Sequence, residues 1–131
     1  MSFAKLGSVS YIIWGLLHIA ASFDEFMVGK GLEPGLVKGK INQGAWDLLF
    51  FALFAIVIAI RFNWRNESLG YWLNLIVVSA ADIGFIIFVL LPGYVDFFPG
   101  ILGPVFWIGG AIFTTLGIRA QQKADITLST D

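Results

Sequence analysis

Long apolar stretches alternate with short polar stretches along the whole chain. Each of the four apolar stretches is close to the ~20 residues that an α-helix needs to cross a hydrocarbon core roughly 30 Å thick. A chain in lipid must satisfy its backbone polar groups internally, so helices are the expected spanning elements. The pattern predicts an all-α integral membrane protein, a four-helix transmembrane bundle in one domain over residues 1–131. The expected spans lie at about 6–27, 43–62, 69–91 and 101–118, followed by a polar C-terminal tail over 119–131.

Composition supports a membrane protein and excludes several kinds of site. Of the 131 residues, 58% are hydrophobic and 13% are charged, whereas soluble domains average about 45–50% and about 25%. The net charge of −1 provides no basic surface for nucleic acid. The chain has no cysteine and one histidine, which excludes thiolate chemistry and a multi-histidine metal site within one chain. No metal and no cofactor is therefore expected.

The first apolar stretch has the outline of a cleavable signal peptide. Lys5 precedes it, and the small residues at 20–22 lie near its end. Trp14, Gly15 and His18 suit a packed helix better than a disposable one. We therefore expect this stretch to be retained as the first span.

Glycine and proline mark the expected ends of the helices. Residues 29–40 form a glycine-rich stretch that predicts a loop, and Asn42 is the expected N-cap of the second helix. Pro92-Gly93 is expected to end the third helix. Pro99-Gly100 and Pro104 are expected to open the fourth, because proline fits the first turn of a helix.

Basic residues favour one end of the predicted bundle. With four spans, both termini and the second loop lie on the same side of the membrane. That side carries Lys5, Arg61, Arg65, Arg119 and Lys123, and the opposite side carries Lys30, Lys38 and Lys40. The excess of positive charge predicts that both termini are cytoplasmic, in a bacterial-type inner membrane or a plasma membrane.

A single carboxylate interrupts the third span. Asp82 lies about nine residues from the outer end of that span, which places it roughly 13 Å deep. An ionised side chain near the bilayer centre costs roughly 2.5–3.5 kcal/mol. His18 in the first span falls at a similar depth, so the two side chains are expected to meet. A carboxyl group removed from water favours its neutral form, which makes Asp82 a candidate proton donor.

Helical spacing places further polar, aromatic and small residues on inward faces. One stripe of the first span carries Tyr11, Trp14, His18, Ser22 and Glu25, and one face of the third carries Asn74, Val78 and Asp82, with Ser79 alongside. In the second span Gln43 and Asp47 align, and in the fourth Gly103, Gly110 and Gly117 recur every seven residues, with Trp107 nearby. Small residues allow membrane helices to approach closely, so this glycine face predicts a packing seam.

These faces predict a cavity that opens outward beneath the glycine-rich stretch. The residues with predicted catalytic roles are Asp82, His18 and Asp47. The residues predicted to bind a substrate are Trp14, Tyr11, Trp46, Asn74, Ser79, Trp107 and Glu25. Structural roles are the alternatives: a hydrogen bond within the bundle for Asp82, packing for His18, and a favourable charge at a helix N-terminus for Asp47. Glu25 could equally be solvated near the membrane surface, and the aromatic residues could serve packing.

Three functions are compatible with this pattern. The first is cofactor-free acid–base chemistry, of the isomerase, cyclase or epoxide-opening type, on an apolar isoprenoid- or steroid-like molecule. The second is a small proton-coupled transporter that works as a homodimer. The third is a non-catalytic accessory subunit of a membrane complex. The glycine face of Gly103, Gly110 and Gly117 would serve either packing within the bundle or contact with a second copy.

Overall fold

The computed structural model describes residues 1–129, and this part of the chain is helical, with short connections and no strand. The helices are α1 (Phe3–Lys30), α2 (Leu36–Arg61), α3 (Ser68–Phe85), α4 (Phe97–Gly100) and α5 (Leu102–Ser129). A 3₁₀ turn at Asn63–Arg65 precedes α3, and a π-helical turn at Ile86–Leu90 continues it.

Four helical segments are long and apolar enough to cross a membrane. They are Phe3–Lys30, Leu36–Arg65, Ser68–Leu90 and Phe97–Ser129. This confirms the all-helical architecture with four potential spans, by length and composition. The side of the membrane that carries the termini stays a prediction.

Two helices extend beyond the apolar stretches that predicted them. α2 begins at Leu36, so residues 36–40 of the expected loop are helical, and Asn42 lies inside the helix. The prediction of Asn42 as an N-cap was wrong, because a helix can continue past the apolar core where its lysines reach water. α5 continues through the expected tail to Ser129. The last two residues of that tail lie outside the described residues.

The helices form a ring in which α1 and α3 lie on a diagonal. α1 packs mainly against α2 and α5, and α3 packs against the same two helices. The buried core combines Tyr11 and Trp14 of α1, Ala55 and Ala59 of α2, and Val78 of α3. Large side chains of α1 are thus accommodated by small residues of α2.

The three glycines of α5 pack against α1 at the predicted spacing of seven residues. A Cβ atom at Gly110 would lie 2.8 Å from the ring of Tyr11, one at Gly117 would lie 3.1 Å from the backbone nitrogen of Ala4, and one at Gly103 would lie 2.8 Å from His18 Cε1. The glycine face is therefore covered by α1 of the same chain.

We predict that Gly110→Ala destabilises the bundle, because the new methyl group overlaps the ring of Tyr11. Overpacking of this kind costs about 1–3 kcal/mol. Gly84→Ala is the matched control, since a Cβ atom at Gly84 meets nothing within 4 Å. Thermal unfolding in detergent should show a lower midpoint for Gly110→Ala alone. Equal midpoints for the two variants would contradict the packing of α5 on α1.

Candidate functional site

Asp82 lies where α3 faces α1 across the diagonal of the bundle. Its side chain is 0% exposed. The indole Nε1 of Trp14 donates a hydrogen bond of 2.6 Å to Asp82 Oδ2. A buried carboxyl group without a partner is costly, so this bond compensates part of the cost of placing Asp82 there. It also connects two helices that pack mainly against α2 and α5.

His18 faces the other oxygen of the same carboxyl group. His18 Nε2 lies 3.8 Å from Asp82 Oδ1, and His18 Nδ1 lies 2.8 Å from the backbone oxygen of Trp14. The rings of Trp14 and His18 stack, with their centroids 3.9 Å apart and their planes at 23°. Trp14 therefore positions both titratable side chains, one through its N–H group and the other through its ring and its carbonyl.

The hydrogen bonds define where a proton is held. A carbonyl oxygen can only accept, so His18 Nδ1 carries a hydrogen, and Nε2 of the neutral ring is an acceptor that faces Asp82. Asp82 Oδ2 accepts from Trp14, while Oδ1 has no hydrogen-bond partner in the described part of the chain. A proton shared between Oδ1 and Nε2 would make the pair either a carboxylic acid beside a neutral imidazole or a carboxylate beside an imidazolium.

Gly103, in the first turn of α5, borders the pair. A Cβ atom there would lie 2.8 Å from His18 Cε1 and 3.5 Å from Asp82 Oδ1. The sequence indicated Gly103 only as part of the packing seam. The spacing of seven residues cannot show which of three similar glycines lies beside a polar pair.

The pair is closed on the side of Asp82 and reaches the surface on the side of His18. The His18 side chain retains 12% exposure, against 0% for Asp82. The π-helical turn at Ile86–Leu90 begins four residues after Asp82, and turns of this kind are frequent at functional sites. The next segment, 91–96, is exposed. The imidazole is therefore the member of the pair that a molecule from outside the bundle contacts first.

Three predicted site residues are inside the bundle but serve other contacts. Asn74 is buried, and its Nδ2 donates to the backbone oxygen of Ala55 at 3.1 Å. It lies eight residues before Asp82, about 12 Å along the helix, and links α3 to α2. Trp107 Nε1 donates to Ser79 Oγ at 2.9 Å and links α5 to α3.

The structure does not bring the predicted residues of α2 to Asp82. Asp47 is exposed, and Trp46 is 63% exposed. Glu25 of α1 is half-buried and faces α2, since a Cβ atom at Gly44 would lie 2.6 Å from its Oε1. Asp47 and Trp46 are thus exposed residues of the bundle, whereas Asp82 is buried, and the functional roles given to them stay predictions.

The inward face of α2 consists mainly of small residues. Its buried positions are Ala45, Ala52, Ala55, Ile58 and Ala59. The polar residues of α2 predicted a different inward face, but near the end of a long apolar helix a polar side chain can face water. The alanines at spacings of seven, three and four residues were the signal that would have given the correct face.

Within residues 1–129, no group of three or more His, Asp or Glu side chains is placed to hold a metal ion. Comparison of the chain with known protein families, with curated proteins and with solved structures finds no match.

We predict that the neutral ring of His18 carries its hydrogen on Nδ1. The chain has one histidine. A long-range ¹⁵N–¹H correlation NMR spectrum of protein labelled with ¹⁵N in histidine therefore shows signals from this ring alone. The expected spectrum shows a protonated Nδ1, with Nε2 either bare or protonated as well. A ring protonated on Nε2 only would contradict the hydrogen bond to the Trp14 carbonyl.

We also predict that Trp14→Phe lowers the free energy of unfolding by about 1–3 kcal/mol beyond the loss of packing, because it leaves Asp82 Oδ2 buried without a donor. Trp107→Phe removes the same N–H group from a half-buried hydroxyl partner and should cost less. Adding Asp82→Leu to Trp14→Phe should recover part of the loss, since no buried acceptor is then left unpaired. A double variant less stable than Trp14→Phe would contradict this account. Thermal and denaturant unfolding in detergent measure these differences.

Proposed function

We propose that the protein is a membrane-embedded acid–base protein that acts on an apolar small molecule through the pair formed by His18 and Asp82. The observation that carries this proposal is the fully buried Asp82, with one oxygen held by Trp14 and the other 3.8 Å from His18 Nε2. A contact that serves packing alone does not require a pair of titratable side chains. Titratable pairs inside a membrane span commonly mark proton handling.

The two side chains have different roles in this proposal. His18 is the group nearer the surface, and its Nε2, the nitrogen that the Trp14 carbonyl does not engage, would exchange a proton with the bound molecule. Asp82 stores the proton or balances the imidazolium, and Trp14 holds both groups in position. An isomerisation or cyclisation is compatible with these two side chains, because the proton that they deliver to one carbon of the substrate is recovered from another carbon. No cofactor is needed for such a cycle.

The surroundings favour an apolar substrate of isoprenoid or steroid type. α3 is highly apolar around Asp82, and the exposed residues nearby include Ile83, Ile87 and Phe88. A molecule dissolved in the lipid would reach His18 without crossing water. The π-helical turn and the exposed segment 91–96 flank this region, and their displacement would admit a larger molecule.

Proton-coupled transport is the second candidate, and one observation favours it. The hydrogen bond between Trp14 and Asp82 joins α1 and α3 across the diagonal. An N–H group binds a carboxylate about twice as strongly as it binds a neutral acid. Loss or gain of the proton would therefore change the contact that holds the two helices together, which is how a transporter couples a proton to a movement of helices.

We predict that proton transfer to an apolar probe depends on both members of the pair. The purified protein in D₂O, given a steroid 5-en-3-one or an isoprenoid 2,3-epoxide, should yield a deuterated isomer or an opened product. Asp82→Asn and His18→Gln should each lower the rate by about 10²–10⁴-fold. Asp24→Asn, on the exposed surface of α1, should leave it unchanged.

Retention of the full rate by Asp82→Asn would exclude catalysis by the pair. Probe-dependent proton uptake into liposomes, without any product and abolished by Asp82→Asn, would instead establish the transporter. Mass spectrometry of the probe and a pH-sensitive dye inside the liposomes distinguish the two results.

A further inference from the structure

The bundle end that carries the two termini is rich in basic residues. Among residues 1–129 it carries five cations, Lys5, Arg61, Arg65, Arg119 and Lys123, and two acids, Glu67 and Asp125. These residues lie about the length of a helix away from the opposite end, which holds Lys30, Lys38 and Lys40 together with Asp24, Glu25, Glu33, Asp47 and Asp96. The terminal end therefore attracts anions, and the acid–base pair lies nearer the other end.

A groove of about 420 Å³ opens at this basic end, between the start of α1, the turn at Asn63–Arg65 and the second half of α5. Its polar lining residues are Ser2, Arg65, Asn66 and Gln121. Its apolar lining residues include Phe3, Ala4, Trp64 and Ala120. The groove thus combines a cation, polar side chains and an aromatic surface within one concave site.

Hydrogen bonds between segments far apart in the sequence hold part of the groove's lining in place. Asn66 has a left-handed backbone conformation, with φ of 60°. Its Nδ2 donates to the backbone oxygen of Gly117 at 2.9 Å and to Gln121 Oε1 at 2.7 Å. These bonds hold the turn against α5, so the groove does not depend on a freely moving loop.

The basic side chains at the groove have donor groups that could contact an anionic ligand. Arg65 is 67% exposed, and its contact with Glu67, at 4.0 Å between Nη1 and Oε1, is weak. The guanidinium has five N–H donors, most of which remain for an anion. Lys5 Nζ lies 5.5 Å from the centroid of the Trp64 ring, which holds a second positive charge beside the groove.

We propose that this groove binds the phosphate of an anionic phospholipid headgroup. Arg65 and Lys5 would contact the phosphate oxygens, and the start of the acyl chains would lie along Phe3 and Trp64, both of which are exposed. The groove lies at the end of helices long enough to span a membrane, where the headgroups of a bilayer are expected. Basic pockets between spanning helices are known to select such lipids. This site is separate from the acid–base pair and does not depend on its function.

The test places the protein in nanodiscs of equal amounts of phosphatidylglycerol and phosphatidylcholine, and native mass spectrometry counts the lipids that stay bound. We expect phosphatidylglycerol to be retained in preference, and Arg65→Gln to lower that preference about fivefold, the effect of one basic residue near a lipid surface. Arg61→Gln is the matched control, because Arg61 is an exposed cation at the same end that does not line the groove.

Three results would overturn the proposal. An equal loss of preference in Arg61→Gln and Arg65→Gln would mean that the attraction is diffuse, and no preference in the native protein would mean that no site exists. Circular dichroism checks that both variants are folded. Glycerol 1-phosphate, added at millimolar concentration to protein in phosphatidylcholine alone, is the third arm. Its binding at the groove with the affinity of the lipid would assign the site to a soluble phosphate compound instead.

Discussion

The hydrogen bond from Trp14 to Asp82 is the interaction on which the rest of the bundle depends. A carboxyl group in the middle of an apolar span requires a buried donor, and no residue adjacent along α3 supplies one. An indole is long enough to reach across the diagonal from α1. Its bulk then requires small residues in the neighbouring helices, and the core provides Ala55 and Ala59 in α2. The alanines of α2 and Gly110 of α5 leave room for the large aromatic residues Tyr11 and Trp14 of α1.

The bond between Trp14 and Asp82 also separates what the sequence could predict about the fold from what it could not. Apolar length gave the four potential spans, and rise per residue gave the common depth of His18 and Asp82, whose side chains do meet. Depth and helical face are properties of one helix at a time. The indole N–H of Trp14 is different, because its direction depends on a rotamer and on the distance between two helices. Trp14 was therefore predicted as a substrate-binding residue, and the structure shows it as the hydrogen-bond donor to Asp82.

The orientation of α2 could not be predicted from its polar residues, because a polar side chain can face inward at one position of an apolar helix and outward at another. Near the middle of a span, as at Asp82, a polar side chain is driven inward. Near the end of a span, as at Asp47, water is close, and the side chain can face outward at little cost. Hydropathy alone treats both cases alike. The small residues of α2 carry the information on packing, since helices in lipid associate through close contact rather than through exclusion of water.

The two ends of the bundle differ in a way that connects the acid–base pair with the basic groove. Asp82 lies about 12 Å along the helix from Leu90 and about 21 Å from Ser68, so the pair is off-centre, towards the end that bears segment 91–96. Asp82 is fully buried, and a buried carboxyl group depends more strongly on its protein partners the farther it lies from water. The depth of the bundle in the bilayer therefore matters to the pair. Headgroups held by Arg65 and Lys5 at the opposite end would fix that depth and keep Asp82 within the hydrocarbon.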